Sequence, residues 1–368
     1  MAPLEPWEKV LIDPEAFLAT EHGQLACIEC HGGAQSEDKT TAHTDLVARP
    51  SRDPGQVCGD CHTDVTAAFA DTRHNTLAGY WTALDARSAP ESHARLEEMF
   101  GNHCSSCHTS CGDCHVSRPA SVGGGLVDGH VFQETPSMSQ NCTACHGSRV
   151  GNEYLGKHEG LLADVHFREN RMTCVSCHTG GGLHGTEGDT NTAHRYDGSP
   201  MPTCESCHPE VAAGETDVML HNLHGDKLSC QVCHSVSYTS CDGCHVAVSE
   251  TTGQPFFETM GSYMTFLIGR NELLSEARPY EFVPVRHVPI SPTSFQYYGE
   301  DLLANFEALS TWKYATPHNI QRETPQTEAC TNCHGNADIF LTEDKVAEAE
   351  RAANQTVIVD QPPPMPGQ

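Results

Sequence analysis

The chain has 368 residues, and its 49 acidic against 21 basic side chains give a formal net charge of -28 with histidine neutral. This charge argues against a nucleic-acid partner, because the phosphate backbone is also negative. No apolar run reaches the length of a membrane-spanning helix, so we expect no transmembrane segment. With 31 Gly and 22 Pro, the composition predicts short helices, long irregular connections and few strands.

Cysteine follows a strict pattern along the chain. All 20 cysteines lie in Cys-x-x-Cys pairs, and His directly follows each of the ten pairs. Cys-x-x-Cys-His is the attachment signal for c-type haem, in which two thiols form thioethers to the porphyrin and the His binds iron. Zinc knuckles, thioredoxin-like pairs and disulfide frameworks also use Cys-x-x-Cys, but ten complete repeats make them poor explanations.

The sequence therefore predicts ten covalently attached haem c groups, and we number the motifs 1 to 10 in chain order. The predicted attachment residues are Cys27, Cys30, Cys58, Cys61, Cys104, Cys107, Cys111, Cys114, Cys142, Cys145, Cys174, Cys177, Cys204, Cys207, Cys230, Cys233, Cys241, Cys244, Cys330 and Cys333. The predicted proximal iron ligands are His31, His62, His108, His115, His146, His178, His208, His234, His245 and His334.

Motif spacing indicates an internal duplication. The intervals between first cysteines are 31, 46, 7, 31, 32, 30, 26, 11 and 89 residues, so each half has two spaced motifs, a close pair and a more distant fifth. The two motifs of each close pair are separated by so few residues that they must hold their haems side by side. Thr109–Val116 resembles Thr239–Val246, and Glu-Thr-Pro precedes motifs 5 and 10 at 134–136 and 323–325.

The predicted fold is therefore a multihaem cytochrome c fold, with loops and short α-helices wrapped around a haem stack. We expect two tandem pentahaem modules, 1–150 and 151–345, the second with a haem-free, aromatic-rich insertion at 246–329. A polar helix is expected from Thr342 to Asn354. Residues 346–368 form a C-terminal tail that either folds back on its own chain or reaches a neighbouring subunit as an arm.

Histidine is abundant enough to bind every iron on both faces. Besides the ten motif histidines there are 14 others, of which the repeat selects ten as distal ligands. His93 is an alternative to His103, and His158, His184 and His287 are spares. The predicted distal ligands are His22, His43, His74, His103, His130, His166, His194, His221, His224 and His318.

Axial ligation separates an electron carrier from an enzyme. Two imidazoles fill both axial positions of the iron, whereas a nitrite, hydroxylamine or sulfur-oxyanion reductase needs one open position. A Cys-x-x-Cys followed by Lys, the usual marker of such an open haem, is absent from the sequence. A distal Met would also close the iron, and Met138, Met172, Met201 and Met219 are available.

These motifs, spread over residues 22–334, resemble those of multihaem c-type cytochromes of metal-respiring and electroactive microbes. The chain is similar to decahaem outer-surface and porin-embedded conduits, and to subunits of extracellular cytochrome filaments. The resemblance implies stacked haems with bis-histidine iron throughout. The chain departs from the outer-surface reductases, because it lacks long β-rich stretches for two barrel domains.

We therefore expect an exported electron-transfer protein, not an enzyme, whose haems form a continuous conduit for extracellular electron transfer. Expected partners are further copies in a head-to-tail filament (nanowire), other redox proteins or extracellular acceptors. A monomeric periplasmic shuttle and a multihaem reductase are the alternatives. Met1–Pro6 lacks the basic and apolar regions of a signal peptide, so we interpret the chain as a mature form, extracellular or at the cell surface, with the periplasm second.

Overall fold

The computed structural model describes residues 4–105, 109–187, 202–212, 214, 216–264, 266–276, 278–288 and 290–365. The chain divides into two compact units built from interleaved segments. Unit 1 comprises Met1–Tyr80, Cys104–Gly147 and Thr173–Met201, and unit 2 comprises Trp81–His103, Ser148–Met172 and Pro202–Gln368. Motif 6 thus lies in the same unit as motifs 1 to 5. The predicted module boundary between 150 and 151 refers to the sequence repeat, and it stays a prediction.

Unit 1 consists of short helices joined by turns and loops. Local side chains begin several of them: the Asp13 carboxylate accepts the Ala16 N–H at 3.0 Å, and the Asp38 carboxylate accepts the Thr41 N–H at 2.8 Å. The α-helices of unit 1 are Pro14–Leu18, Cys27–His31, Lys39–Ala42, Pro54–Val57, Thr63–Phe69, Arg73–Thr76, Cys111–His115, Thr143–His146, Cys174–Cys177 and Gly180–His184.

Few apolar side chains are buried in unit 1. Among its described residues, the buried aliphatic and aromatic side chains are Phe69 and Val116. Large apolar side chains are exposed instead, including Trp7 at 67% and Leu11 at 68%. A unit of this size cannot be stabilised by so little apolar burial from its own side chains.

Unit 2 combines short helices with two small antiparallel sheets. The helix Ala78–Asp85 includes the boundary between the units along the chain. The α-helices of unit 2 are His93–His103, Asn152–Tyr154, Val165–Asn170, Pro209–Ala212, Met219–His224, Cys230–His234 and Arg351–Asn354.

The sheets follow motif 8 in the sequence. Strands β1 (Tyr238–Val248) and β2 (Pro255–Met264) pair as a hairpin, with an irregularity between Asp242 and His245. The backbone of motif 9 therefore lies in a strand. Strands β3 (Leu267–Arg270), β4 (Phe282–His287) and β5 (Trp312–Tyr314) form the second sheet in the order β3-β4-β5.

A conventional hydrophobic core covers the three-stranded sheet. Its buried members come from β3, β4 and the chain after motif 10: Leu267, Val283, Val285, Leu341, Val346 and Val357. The haem-free insertion thus supplies strands to a protein core that also includes C-terminal residues. Alternating valines on β4 suit a buried strand of this kind.

The C-terminal tail packs on its own chain as far as residue 365. Val357 and Val359 are buried, and the Arg270 N–H donates to the Val357 carbonyl at 2.8 Å. The predicted helix from Thr342 to Asn354 is wrong for its first part, which forms 3-10 turns at Glu343–Lys345 and Glu348–Glu350. Between these turns the backbone of Val346 is extended, which interrupts the helix, and its side chain is buried in the core.

Within the described residues, no helix combines the length and apolar character needed to cross a membrane.

Candidate functional site

Several motifs adopt the predicted helical turn. Motifs 1, 4 and 8 each occupy one short helix, Cys27–His31, Cys111–His115 and Cys230–His234. At motif 4 the Ser110 N–H and hydroxyl both donate to the Asp113 carboxylate, at 3.0 and 2.9 Å. This capping contact fixes the start of the turn and therefore the direction of both thiols.

Pairs of neighbouring imidazoles recur in both units. Seven pairs of histidine rings have centroids between 5.8 and 6.3 Å apart, and each pair joins one motif histidine to one histidine outside the motifs. The pairs are His31–His130 at 6.0 Å, His62–His22 at 6.2 Å, His146–His74 at 6.2 Å, His115–His184 at 5.8 Å, His208–His166 at 6.3 Å, His234–His221 at 6.0 Å and His334–His224 at 6.1 Å.

This spacing is that of two imidazoles on one metal ion. Facing nitrogens that each lie about 2.0 Å from a metal place the ring centroids about 6 Å apart. Unrelated surface histidines have no reason to share one separation, least of all with a motif member in every pair. The donor set, two imidazoles beside two thiols of a motif, fits a c-type haem with both axial positions filled.

Hydrogen bonds at Nδ1 set the tautomer of the motif histidines. Nδ1 of His31 donates to the Val47 carbonyl at 2.9 Å, and Nδ1 of His115 donates to the Gln133 carbonyl at 2.6 Å. A carbonyl only accepts, so Nδ1 carries the proton and Nε2 keeps its lone pair for a metal. The same contact occurs at His234 with Gln321 at 3.0 Å and at His334 with Pro364 at 2.7 Å.

The non-motif histidines of the pairs have comparable surroundings. Nδ1 of His224 donates to the Leu220 carbonyl at 3.2 Å, and Nδ1 of His166 donates to the Asp164 carboxylate at 2.9 Å. Burial lowers the pKa of His74 to about 4, with His146 adding to the effect, so its imidazole is neutral at ordinary pH. A neutral imidazole is the form that binds a metal.

His130 is held in an unusual backbone conformation. Its φ of 80° lies in the left-handed region, which is rare for a residue with a side chain. The ring packs edge-on against Phe17 at 4.8 Å, and Phe132 lies between His130 and His22 at 5.7 and 4.0 Å. Phe132 thus connects two neighbouring pairs. Strained backbone of this kind concentrates at functional sites.

Thiols of different motifs lie next to one another. The Cys58 thiol donates a hydrogen bond to Cys111, which raises the pKa of Cys58, and a hydrogen bond accepted from Cys174 lowers the pKa of Cys142 to about 7. In unit 2 the Cys230 thiol likewise donates to Cys204, which raises the pKa of Cys230. Each contact joins the first cysteines of two motifs.

Electrostatic interactions between further cysteines extend these links into two series. Burial raises the pKa of Cys30, and the neighbouring Cys58 adds to it; Cys142 similarly affects Cys114, and Cys333 affects Cys233. Motifs 1, 2, 4, 5 and 6 therefore adjoin in unit 1, and motifs 7, 8 and 10 adjoin in unit 2. The 17 described cysteines are all free of disulfides.

Other predicted ligands have different surroundings. Nε2 of His103 lies 2.7 Å from the Tyr298 hydroxyl, which occupies the nitrogen a metal would need. His287, a predicted spare, uses Nε2 to contact the Glu350 carboxylate at 2.9 Å. His184, also a predicted spare, instead faces His115 of motif 4. It lies in the second half of the repeat and has no matched counterpart in the first, so matching the halves could not select it.

The seven pairs do not include every predicted ligand. His43, His178 and His318 are not members of the seven pairs, although Nδ1 of His43 donates to the Lys39 carbonyl at 2.7 Å as a ligand would. Several others lie outside the described residues, entirely or by their side chains: Cys107, His108, His194, Cys241, Cys244 and His245.

In the described part of the chain, no group of three or more His, Cys, Asp or Glu side chains is arranged to hold a metal ion directly. Haem iron takes its other ligands from the porphyrin and needs only two from the protein. No protein-family model, curated protein or solved structure matches the chain. Function is therefore inferred from the residues and their geometry.

Proposed function

We propose that this protein is a decahaem c-type cytochrome that conducts electrons along closely spaced haems. The observation that carries the proposal is the set of seven imidazole pairs, each made of one motif and one non-motif histidine at 5.8–6.3 Å. Chance contact does not account for this constant composition and separation.

The chain's own residues have simple roles in this proposal. Paired cysteines tether each porphyrin, the motif histidine binds one face of the iron, and the distal histidine closes the other. Bound haem would supply a one-electron iron couple whose potential depends on the axial ligands, burial and hydrogen bonding. The carbonyl groups of Val47, Gln133, Gln321 and Pro364 hold their imidazoles in the metal-binding tautomer.

Two further observations favour a conduit over isolated carriers. Adjacent thiols link motifs 1, 2, 4, 5 and 6 in one series and motifs 7, 8 and 10 in another. Apolar burial in unit 1 is also too small for a protein-only core, as expected for a polypeptide wrapped around large apolar cofactors.

The test is the mass and spin state of the native, exported protein. Intact mass spectrometry should give the polypeptide mass plus ten haems. Electron paramagnetic resonance of the oxidised protein should show low-spin ferric iron only, because two imidazoles bind each iron. Far fewer attached haems would overturn the proposal, and a high-spin signal from one haem would favour the reductase alternative.

An extracellular or cell-surface location and assembly into a filament are finer proposals. The charge of -28 favours solubility and docking to basic partners. As far as residue 365 the tail packs on unit 2, so it gives the filament no support. Negative-stain microscopy of concentrated native protein distinguishes filaments from discrete particles, and the monomeric shuttle predicts only the latter.

A further inference from the structure

The carboxylate of Asp164 is buried beside one distal histidine. Asp164 is 2% exposed and precedes the helix Val165–Asn170. Its Oδ1 accepts the backbone N–H of His166 at 2.8 Å and the Nδ1–H of the same residue at 2.9 Å. Its Oδ2 accepts the Ile320 N–H at 2.8 Å, so the carboxylate is fixed from both sides.

This contact differs from those of the other paired histidines. Where another paired histidine has an Nδ1 hydrogen bond in the described structure, the acceptor is a neutral oxygen, such as the Leu220 carbonyl for His224 or the Thr216 hydroxyl for His221. On the opposite side of this pair, Nδ1 of His208 lies 3.8 Å from the exposed Glu210 carboxylate. A second carboxylate therefore lies near the same site.

The surroundings of motif 7 are acidic as well. Glu205, between its two cysteines, accepts a hydrogen bond from the Tyr280 hydroxyl and contacts the Cys230 thiol. Glu169, on the helix of His166, is paired with Arg168 and Arg322 and is partly exposed. The guanidinium groups of Arg168 and Arg322 are therefore paired with Glu169, and Asp164 is the carboxylate that hydrogen-bonds to the imidazole.

We propose that Asp164 is a positioning residue that gives motif 7 the lowest reduction potential among the haems of the seven pairs. The proposal rests on the proposed function. A hydrogen bond to a carboxylate is stronger than one to a carbonyl and makes the imidazole a stronger donor. A stronger donor stabilises ferric over ferrous iron, and burial keeps the negative charge close and poorly screened.

The consequence is a preferred position for electrons in unit 2. Motif 7 adjoins motif 8, which adjoins motif 10. An electron shared among these three haems would reside on motifs 8 and 10 and leave motif 7 oxidised. Asp164 would thus make the transfer of an electron to motif 7, at one end of this series, energetically uphill.

The test compares Asp164→Asn with Glu169→Gln in the haem-loaded protein by spectroelectrochemical titration. Asparagine retains the size and one acceptor oxygen but not the charge. We expect one of the ten couples to move upward after Asp164→Asn by a tenfold change in the ferric/ferrous ratio, about 59 mV for one electron. Glu169→Gln removes a nearby carboxylate that does not contact the imidazole and should move that couple by clearly less.

A second measurement needs no variant. Near-infrared magnetic circular dichroism of the oxidised wild-type protein should contain one bis-histidine component at higher energy than the rest, because imidazolate character raises the charge-transfer energy. If Asp164→Asn does not fold, this spectrum decides. Coincident spectral components, or equal potential shifts in the two variants, would overturn the role of Asp164. The proposed function would still stand if the protein carried ten bis-histidine haems.

Discussion

The histidines of this chain fall into two groups according to which imidazole nitrogen makes a hydrogen bond. Nδ1 donates to a carbonyl in His31, His115 and His334, so Nε2 is available to a metal. Nε2 itself is engaged in His103, by Tyr298, and in His287, by Glu350. The hydrogen-bond partner therefore separates ligand-like from structural histidines where residue type alone cannot.

The pairing of His184 with His115 predicts the effect of two alanine substitutions. His184→Ala should remove the distal ligand of motif 4 and convert one of the ten haems to high-spin iron, seen by electron paramagnetic resonance. His103→Ala should leave every haem low-spin, because its Nε2 already contacts the Tyr298 hydroxyl. A high-spin signal from His103→Ala and none from His184→Ala would reverse the assignment.

The proposed proximal ligands follow directly from the sequence, because Cys-x-x-Cys-His is contiguous. The partner of each motif histidine does not, since a residue such as His130 reaches His31 only through the folded chain. Matching the repeat halves selected His22 and His166, and the structure places both against the second motif of their half, at His62 and His208. The same matching selected His103 and did not select His184, because the two halves differ around these residues.

At the scale of elements, one buried amide joins the C-terminal helix to β5. The Asn354 side chain is fully buried, and its Oδ1 accepts the N–H groups of Thr311 and Trp312 at 3.1 and 2.9 Å. Its Nδ2 donates to the Thr311 hydroxyl and the Glu350 carbonyl, both at 2.8 Å. The two hydrogen bonds to Thr311 are fully buried, and those to Trp312 and Glu350 are partly buried.

Asn354→Ala should therefore destabilise unit 2 by about 3 kcal/mol, because two buried backbone donors lose their acceptor. Chemical denaturation of the haem-loaded protein, followed by tryptophan fluorescence near Trp312, measures the change. Gln355→Ala, at the exposed neighbouring position, is the control and should be close to neutral. Equal losses in the two variants would mean that the Asn354 amide contributes nothing specific.

Pro363 and Pro364 in the tail hold motif 10. The Gly335 N–H donates to the Pro363 carbonyl at 2.8 Å, and Nδ1 of His334 donates to the Pro364 carbonyl at 2.7 Å. Deleting residues 361–368 should raise the potential of one haem, because its imidazole becomes a weaker donor. The stability loss should be about 2 kcal/mol for two hydrogen bonds. Deleting only 366–368 is the matched control, and voltammetry should show no shifted couple.

At the scale of the whole molecule, the sequence predicted short helices and loops but not how the chain divides. Motif 6 joins unit 1 through the Cys142–Cys174 contact, although the repeat assigns it to the second half. The boundary of a repeat reflects how the sequence was duplicated, whereas the boundary of a compact unit reflects which segments contact each other in the fold. Likewise, the aromatic-rich insertion gave no sign that Leu341, Val346 and Val357 from the chain's end would complete its core.

The two units should differ sharply in how much they depend on haem. Unit 2 buries Val283, Val285 and Leu341 around a sheet, whereas the described part of unit 1 buries only Phe69 and Val116 among aliphatic and aromatic side chains. In protein produced without haem attachment, we expect unit 1 to remain unfolded while β3 to β5 retain structure. Hydrogen exchange should then be at least about tenfold slower in 267–287 than in 14–69. Haem-loaded protein is the control and should protect both regions; equal protection without haem would show that unit 1 folds unaided.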